Sequence, residues 1–169
     1  MLSEKIADLL NQQINMELFS AYLYLDFANY YADESLNGFE NWFYVQAQEE
    51  RDHAMLIRTY LIDNDIRVAL TAIDGPDLEY SALDAPLAAS LEHEQKVTAS
   101  INAIYSVAYD EKDFRTMQFL DWFVKEQGEE EKNATDLIKK FELFGTDAKS
   151  LYLLDQELAA RIYTPAVIA

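Results

Sequence analysis

The chain has no cysteine. That excludes disulfides, zinc–thiolate sites, thiolate-held iron–sulfur clusters and thiol nucleophiles. Glycine and proline are scarce, 4 and 3 among 169 residues, and half the chain is hydrophobic. Such a composition fits a mostly helical globular protein and does not fit a disordered or fibrous one. Basic residues are few, 13 Lys and Arg against 31 Asp and Glu, for a net charge of −18. A duplex-binding protein wants a basic face, so nucleic acid is not an expected ligand. An anionic membrane surface is disfavoured for the same reason. A field of this sign attracts cations, although many acidic proteins carry one. No apolar run approaches a membrane span, and "MLSEKIADLL" has neither a basic n-region nor a cleavable apolar h-region. The expectation is a cytoplasmic protein with one domain and one core.

What the sequence does hold is helical periodicity. It predicts helices over Ser3 to Asp33, Leu36 to Asn64, Ala82 to Asp110 and Asp113 to Phe144, and a short fifth from Asp147 to Arg161. Ser3 reads as an N-cap and Gly145 as a C′ residue. Short links join the first two helices and the next two, so each pair is an antiparallel hairpin. Asp65 to Ser81 separates the pairs. A helix of about 28 residues spans about 42 Å, and a 17-residue segment reaches up to roughly 56 Å. The loop can therefore run the length of the bundle. The fold class is all-α, a four-helix bundle with one long crossover.

Each long helix carries a seam of 3-and-4 spacing. The seams read Leu10, Ile14, Glu17, Ala21, Tyr24; Phe43, Gln46, Glu50, His53, Ile57; Leu91, Glu94, Thr98, Ile101; and Leu120, Phe123, Gln127, Glu130, Ala134. All are apolar at both ends and polar near the middle. Helix midpoints share one layer of a bundle, so Glu17, Glu50, His53, Glu94, Gln127 and Glu130 converge there. A buried, unneutralised carboxylate costs several kcal/mol, and four together repel or protonate. Arg51 and Lys125, the nearest basic residues in sequence, sit about 100° off the seams. Two divalent cations would neutralise the layer. Hard oxygen donors with one imidazole suit iron or manganese. Taken singly, a seam glutamate, a Glu-x-x-His pair or "EQGEEE" is more often a mis-set register, a surface pair or a solvated run. The coincidence of all four seams at mid-height is what points to metal.

Nearly the whole chain resembles a bacterial non-haem ferritin. "LLNQQINMELFSAYLYLDFANY", "AQEERDHA", "EHEQKVTASINAIYSVA" and "FLDWFVKEQGEEEKNA" are similar to that family's four helices, and "SLYLLDQEL" to its short fifth. The arrangement of inward carboxylates is the one general to ferritin-like di-iron proteins. The resemblance implies a ferroxidase centre that oxidises Fe(II) with dioxygen or hydrogen peroxide. One iron would take Glu17, Glu50 and His53, the other Glu50, Glu94 and Glu130, with Gln127 beside the second. A third iron site would use Glu49, Glu126 and Glu129 with Glu130 shared. Helical i,i+3 and i,i+4 spacing independently makes Glu126, Glu129 and Glu130 neighbours. Tyr24 would be an electron donor or simply a packed aromatic, and Trp122 a packing residue.

The resemblance further implies a cage of twenty-four subunits storing ferric mineral, with acids such as Asp110, Glu111 and Asp113 lining an ion pore. Asp52 and Asp136 would be mineral-nucleating or plain surface acids. Helix four reads Gln127-Gly128-Glu129-Glu130 with no second Glu-x-x-His, and Arg51 stands where a bacterioferritin carries its haem methionine, so no haem is expected. His93 reads as a surface residue or one touching a ligand. Gly128 is unexplained by periodicity. Besides a ferroxidase, the residues leave open an iron-binding buffer with slow oxidation and a metal-free structural bundle; an oxygenase for organic substrates fits the short chain less well.

Overall fold

Capping side chains set where the helices begin. Ser3 Oγ accepts from Ile6 N at 3.2 Å, Asp113 accepts from Thr116 N at 3.1 Å, and Asp147 accepts from Ser150 N at 2.9 Å. The computed structural model describes residues 2–168. Among them are α1 (Glu4–Asp33), α2 (Asn37–Asp63), α3 (Ala85–Glu111), α4 (Phe114–Phe144) and α5 (Ala148–Leu158), with no strand. The all-α fold is as expected; two boundaries differ by more than one residue. Helix α3 starts at Ala85 rather than Ala82, because Pro86 lacks an N–H and fits only the first turn. Helix α5 stops at Leu158 rather than Arg161, whose carbonyl instead accepts from Asn41 Nδ2 at 3.0 Å.

Left-handed residues close the first three helices: Ser35, Asp65 and Lys112 have φ of 59°, 59° and 57°. Gly145 does not play that part, since its φ is −79°. Glycine is needed there for closeness, because a Cβ would lie 2.6 Å from the Phe141 carbonyl oxygen. Helix α2 has no capping side chain of its own. Asp155 of α5 supplies one, accepting from Gly38 N at 2.7 Å and Phe39 N at 3.1 Å. A Cβ on Gly38 would fall 1.7 Å from the Asp155 carbonyl oxygen, so only glycine lets α5 seat on α2.

Helix α1 packs against α2 and α3, α3 against α4, and α5 bridges α2 and α4. The crossover tracks α1 from one end to the other. Ala69 N donates to Asn11 Oδ1 (2.8 Å) and Asn15 Nδ2 to Ala72 O (2.9 Å), while further along Tyr31 Oη donates to Leu83 O (2.6 Å). Two apolar clusters fill the bundle. Leu10, Ile14, Ile57, Ile101 and Phe123 mark one; Phe27, Tyr31, Phe39, Phe43 and Leu137 mark the other. The polar layer lies between them.

Candidate metal centre

Glu17, Glu50, His53, Glu94, Gln127 and Glu130 are all buried. Their helices are similar in length and their midpoints meet, which is why residues far apart in sequence share one layer. One ligand atom each from Glu17, Glu50 and His53 falls within 4.8 Å of the others, and the same holds for His53, Glu126 and Glu130. His53 Nδ1 lies 3.4 Å from Glu50 Oε2. Glu94 accepts from Tyr24 Oη and, at 3.0 Å, from Gln127 Nε2. His53 packs edge-on against Trp122, with ring centroids 5.4 Å apart.

Glutamines one turn ahead aim two of the carboxylates. Gln13 Nε2 donates to Glu17 Oε1 at 2.8 Å, and Ser100 Oγ fixes the Gln13 oxygen at 2.5 Å. Gln46 Nε2 donates to Glu50 Oε1 at 2.9 Å. Sequence periodicity missed Gln13, because α1 buries a stripe wider than one seam. In the same way Ser20 and Val97 are buried where the seams had Ala21 and Thr98. His93 is a correction to the surface reading. It is buried, and its Nε2 lies 2.7 Å from Ser20 Oγ, because α3 packs on α1 along that side.

Of the residues named for a third site, Glu126 and Glu130 fall in one cluster, while Glu129 and Glu49 are each paired with a basic residue. Glu126 joins His53 and Glu130. Glu129 is exposed and pairs with Lys125 at 3.3 Å. Glu49 pairs with Arg161, a basic residue that sequence proximity did not suggest. Asp113 spends its carboxylate on Thr116. Asp52 accepts from Tyr163 Oη, and Asp136 pairs with Lys132.

The layer has a distinctive proton inventory. Burial, then the Glu50 charge, pushes both Glu17 and Glu130 up to about 8. Burial, then Glu50 and Glu130, raises Glu94 well above the carboxylate range. Burial would push His53 down, but the charge and hydrogen bond of Glu50 lift it to about 10. Burial opposes ionisation of Glu50 too, yet His53 and Gln46 hold its carboxyl below the usual range. Near neutral pH the metal-free layer is therefore one Glu50–His53 ion pair among protonated acids. Burial, then Glu94, raises the Tyr24 phenol, so it remains a donor.

One atom of the layer stands apart. Glu17 Oε2 is fully buried and has no hydrogen-bond partner, a costly condition for a polar group. Glu17 belongs to the cluster in which Glu50 and His53 also present donors. A cation there would satisfy it, and carboxylates with one imidazole are a donor set for iron or manganese. No described helix is long and apolar enough to cross a membrane.

Comparison with known proteins agrees with this geometry. A family described as "Ferritin-like domain" matches residues 7–144. The bacterial non-heme ferritin of Staphylococcus aureus (strain USA300) is 37% identical over 163 residues, 96% of this chain and 98% of that protein. The bacterial non-heme ferritin of Campylobacter jejuni is 38% identical over 156 residues, 92% and 93% of the two chains. The open pore ferritin of the hyperthermophilic archaeon Archaeoglobus fulgidus superimposes with a TM-score of 0.93 at 43% identity, covering 96% of this chain and 100% of that one. With the fold, the polar layer and these relatives in agreement, the chain belongs to the ferritin family.

Proposed function

We propose that this chain is a ferroxidase of the iron-storing kind. Iron storage is the function that membership in the ferritin family carries. The finer reading is that two Fe(II) ions, as substrate, bind within one subunit. Glu17, Glu50 and His53 hold one, Glu50, Glu94 and Glu130 hold the other, and Glu50 bridges. The observation that carries it is the orphaned Glu17 Oε2 inside a buried cluster of four carboxylates and an imidazole. The two ions give one electron each, reducing dioxygen to hydrogen peroxide, or hydrogen peroxide to water, with two protons taken up. Gln127 holds Glu94, and Tyr24 donates to it. In this reading Tyr24 orients Glu94 and is the candidate electron donor to the centre.

Ferric product then passes to a cavity enclosed by copies of the chain, a cage of twenty-four in the reading by resemblance. Tyr22, Leu25 and Tyr44 are exposed around an apolar hollow of about 570 Å³ on α1 and α2, which supports burial against another copy. The test is oxygen uptake after Fe(II) is added in air. A ferroxidase consumes oxygen rapidly for the first two irons per subunit and more slowly beyond. An iron buffer binds the same ions with slow uptake, and that outcome would overturn the catalytic reading.

A further inference from the structure

Arg161 follows α5 and lies beside the α2 face of the metal layer. Its guanidinium stacks over Trp42, 4.3 Å from the ring centroid. Nη1 donates to the Trp42 carbonyl at 3.2 Å, and Nη2 donates to Gln46 Oε1 at 2.8 Å and pairs with Glu49. The arginine and Glu49 side chains are only 16% and 19% exposed. Its backbone is held too, since Asn41 Nδ2 donates to the Arg161 carbonyl. Upstream, Asp155 and Gly38 lock α5 to the start of α2. The arginine is thus delivered by a fixed element and fastened at several points.

Two consequences follow from this geometry. Gln46 has its oxygen occupied by Arg161, so its amide nitrogen must face Glu50, to which it donates at 2.9 Å. Arg161 therefore positions a metal-layer carboxylate through Gln46. The second consequence concerns Glu49, which is one residue from Glu50 and near enough to His53 and Glu126 to feel their charges. Its carboxylate is the one an additional cation beside Glu126 and Glu130 would need. Arg161 already neutralises it.

We propose that Arg161 is a tethered cation that stands in for a third metal ion, so that the centre fills with two ions first and accepts a third only by displacing the guanidinium from Glu49. The inference rests on the di-iron reading above, and it concerns a control on that site that is built into this chain's C-terminal segment. A planar fork held by a carboxylate, an amide and an indole is a stronger competitor than a mobile surface lysine. Lys125 on Glu129, at a pair more than half exposed, offers little resistance by comparison.

Calorimetric titration of the metal-free protein with Zn(II), which is redox-inactive, tests this without any turnover. The parent is expected to bind two ions tightly and a third more weakly; because Trp122 packs on His53, fluorescence is read in a Trp122→Phe background, where the Trp42 emission should change in the third phase as Arg161 leaves that ring. Arg161→Gln should tighten the third ion roughly tenfold to a hundredfold, the scale of a charge-assisted hydrogen bond, and lose the fluorescence change. Adding Glu49→Gln to that variant should abolish the gain. Arg161→Lys, which keeps the charge and loses the fork, should fall between and serves if Arg161→Gln does not fold. Two tight ions in parent and variant alike, with no tightening of a third, would overturn the proposal and leave the di-iron reading standing. Failure of the parent to bind any Zn(II) would overturn both.

Discussion

Glu50 is the residue on which the metal layer turns. Within the layer it is the one carboxyl held below its ordinary range, by His53 and Gln46 against the pull of burial, and its charge raises Glu17, Glu94 and Glu130 in turn. Glu50→Ala is expected to lose tight binding of both ions and to slow iron oxidation by about a hundredfold or more, which stopped-flow absorbance would read. Unchanged oxidation would remove the bridging role. Proton counting gives a second prediction. Loading two divalent ions near pH 7 must expel the protons of Glu17, Glu94, Glu130 and His53, about four per subunit. Calorimetry in buffers of different ionisation enthalpy measures that number, and affinity should rise with pH towards 8. The linked stability runs the other way. The folded values of Glu17 and Glu130, about 8, exceed the ordinary 4.5, so the metal-free fold binds more protons than the unfolded chain between those limits. It loses stability as pH rises across that window. His53 acts in the same sense from 6.5 to about 10; Glu50 acts in the opposite sense, at and below 4.5. Thermal melts of the metal-free protein should therefore fall from pH 5 to pH 8, and added Zn(II) should reverse the trend. Gly128 is simpler. Nothing lies within 4 Å of where its Cβ would be, so Gly128→Ala should raise the denaturation midpoint by the equivalent of about 1 kcal/mol.

At the scale of elements, the helices were legible because apolar 3-and-4 spacing and caps agree: Ser3, Asp113 and Asp147 each cap a helix as well as precede one. The interruptions at Glu17, Glu50, Glu94 and Glu130 were legible because each seam breaks once, at mid-height. Contacts between elements that meet only in three dimensions were not legible. Gln13 and His93 are buried because α1 and α3 face two neighbours, which a single seam cannot express. Arg161 reaches Glu49 across 112 residues, so no local spacing announces it. The cap that Asp155 lends to α2 is hidden in the same way. Asp155→Ala should remove it and cost about 1–2 kcal/mol, seen as a lower melting temperature. It should also loosen Arg161, so the third Zn(II) ion should tighten as it does in Arg161→Gln. Loss of stability with unchanged metal binding would separate the capping role from the positioning one.

For the whole molecule, the two apolar clusters supply the fold and leave the middle free for chemistry. Hydrophobic packing at both ends holds four helices in register, and that register gathers charges which would not assemble alone. The crossover makes this topology workable by running the length of α1, anchored from Asn11 to Tyr31. A net charge of −18 favours divalent cations around the particle. Association of copies is expected from the exposed apolar hollow near Tyr22 and Tyr44. Tyr44→Glu should lower the assembled mass in light scattering, while a chain that is a 19.5 kDa monomer from the outset would remove that surface from the account. The central claim is that four buried carboxylates and one imidazole form a site for two metal ions. Anaerobic titration of the metal-free protein with Fe(II) tests it most directly. The account predicts saturation at two tightly bound irons per subunit, lost in Glu50→Ala; the absence of saturable Fe(II) binding in the parent would contradict it.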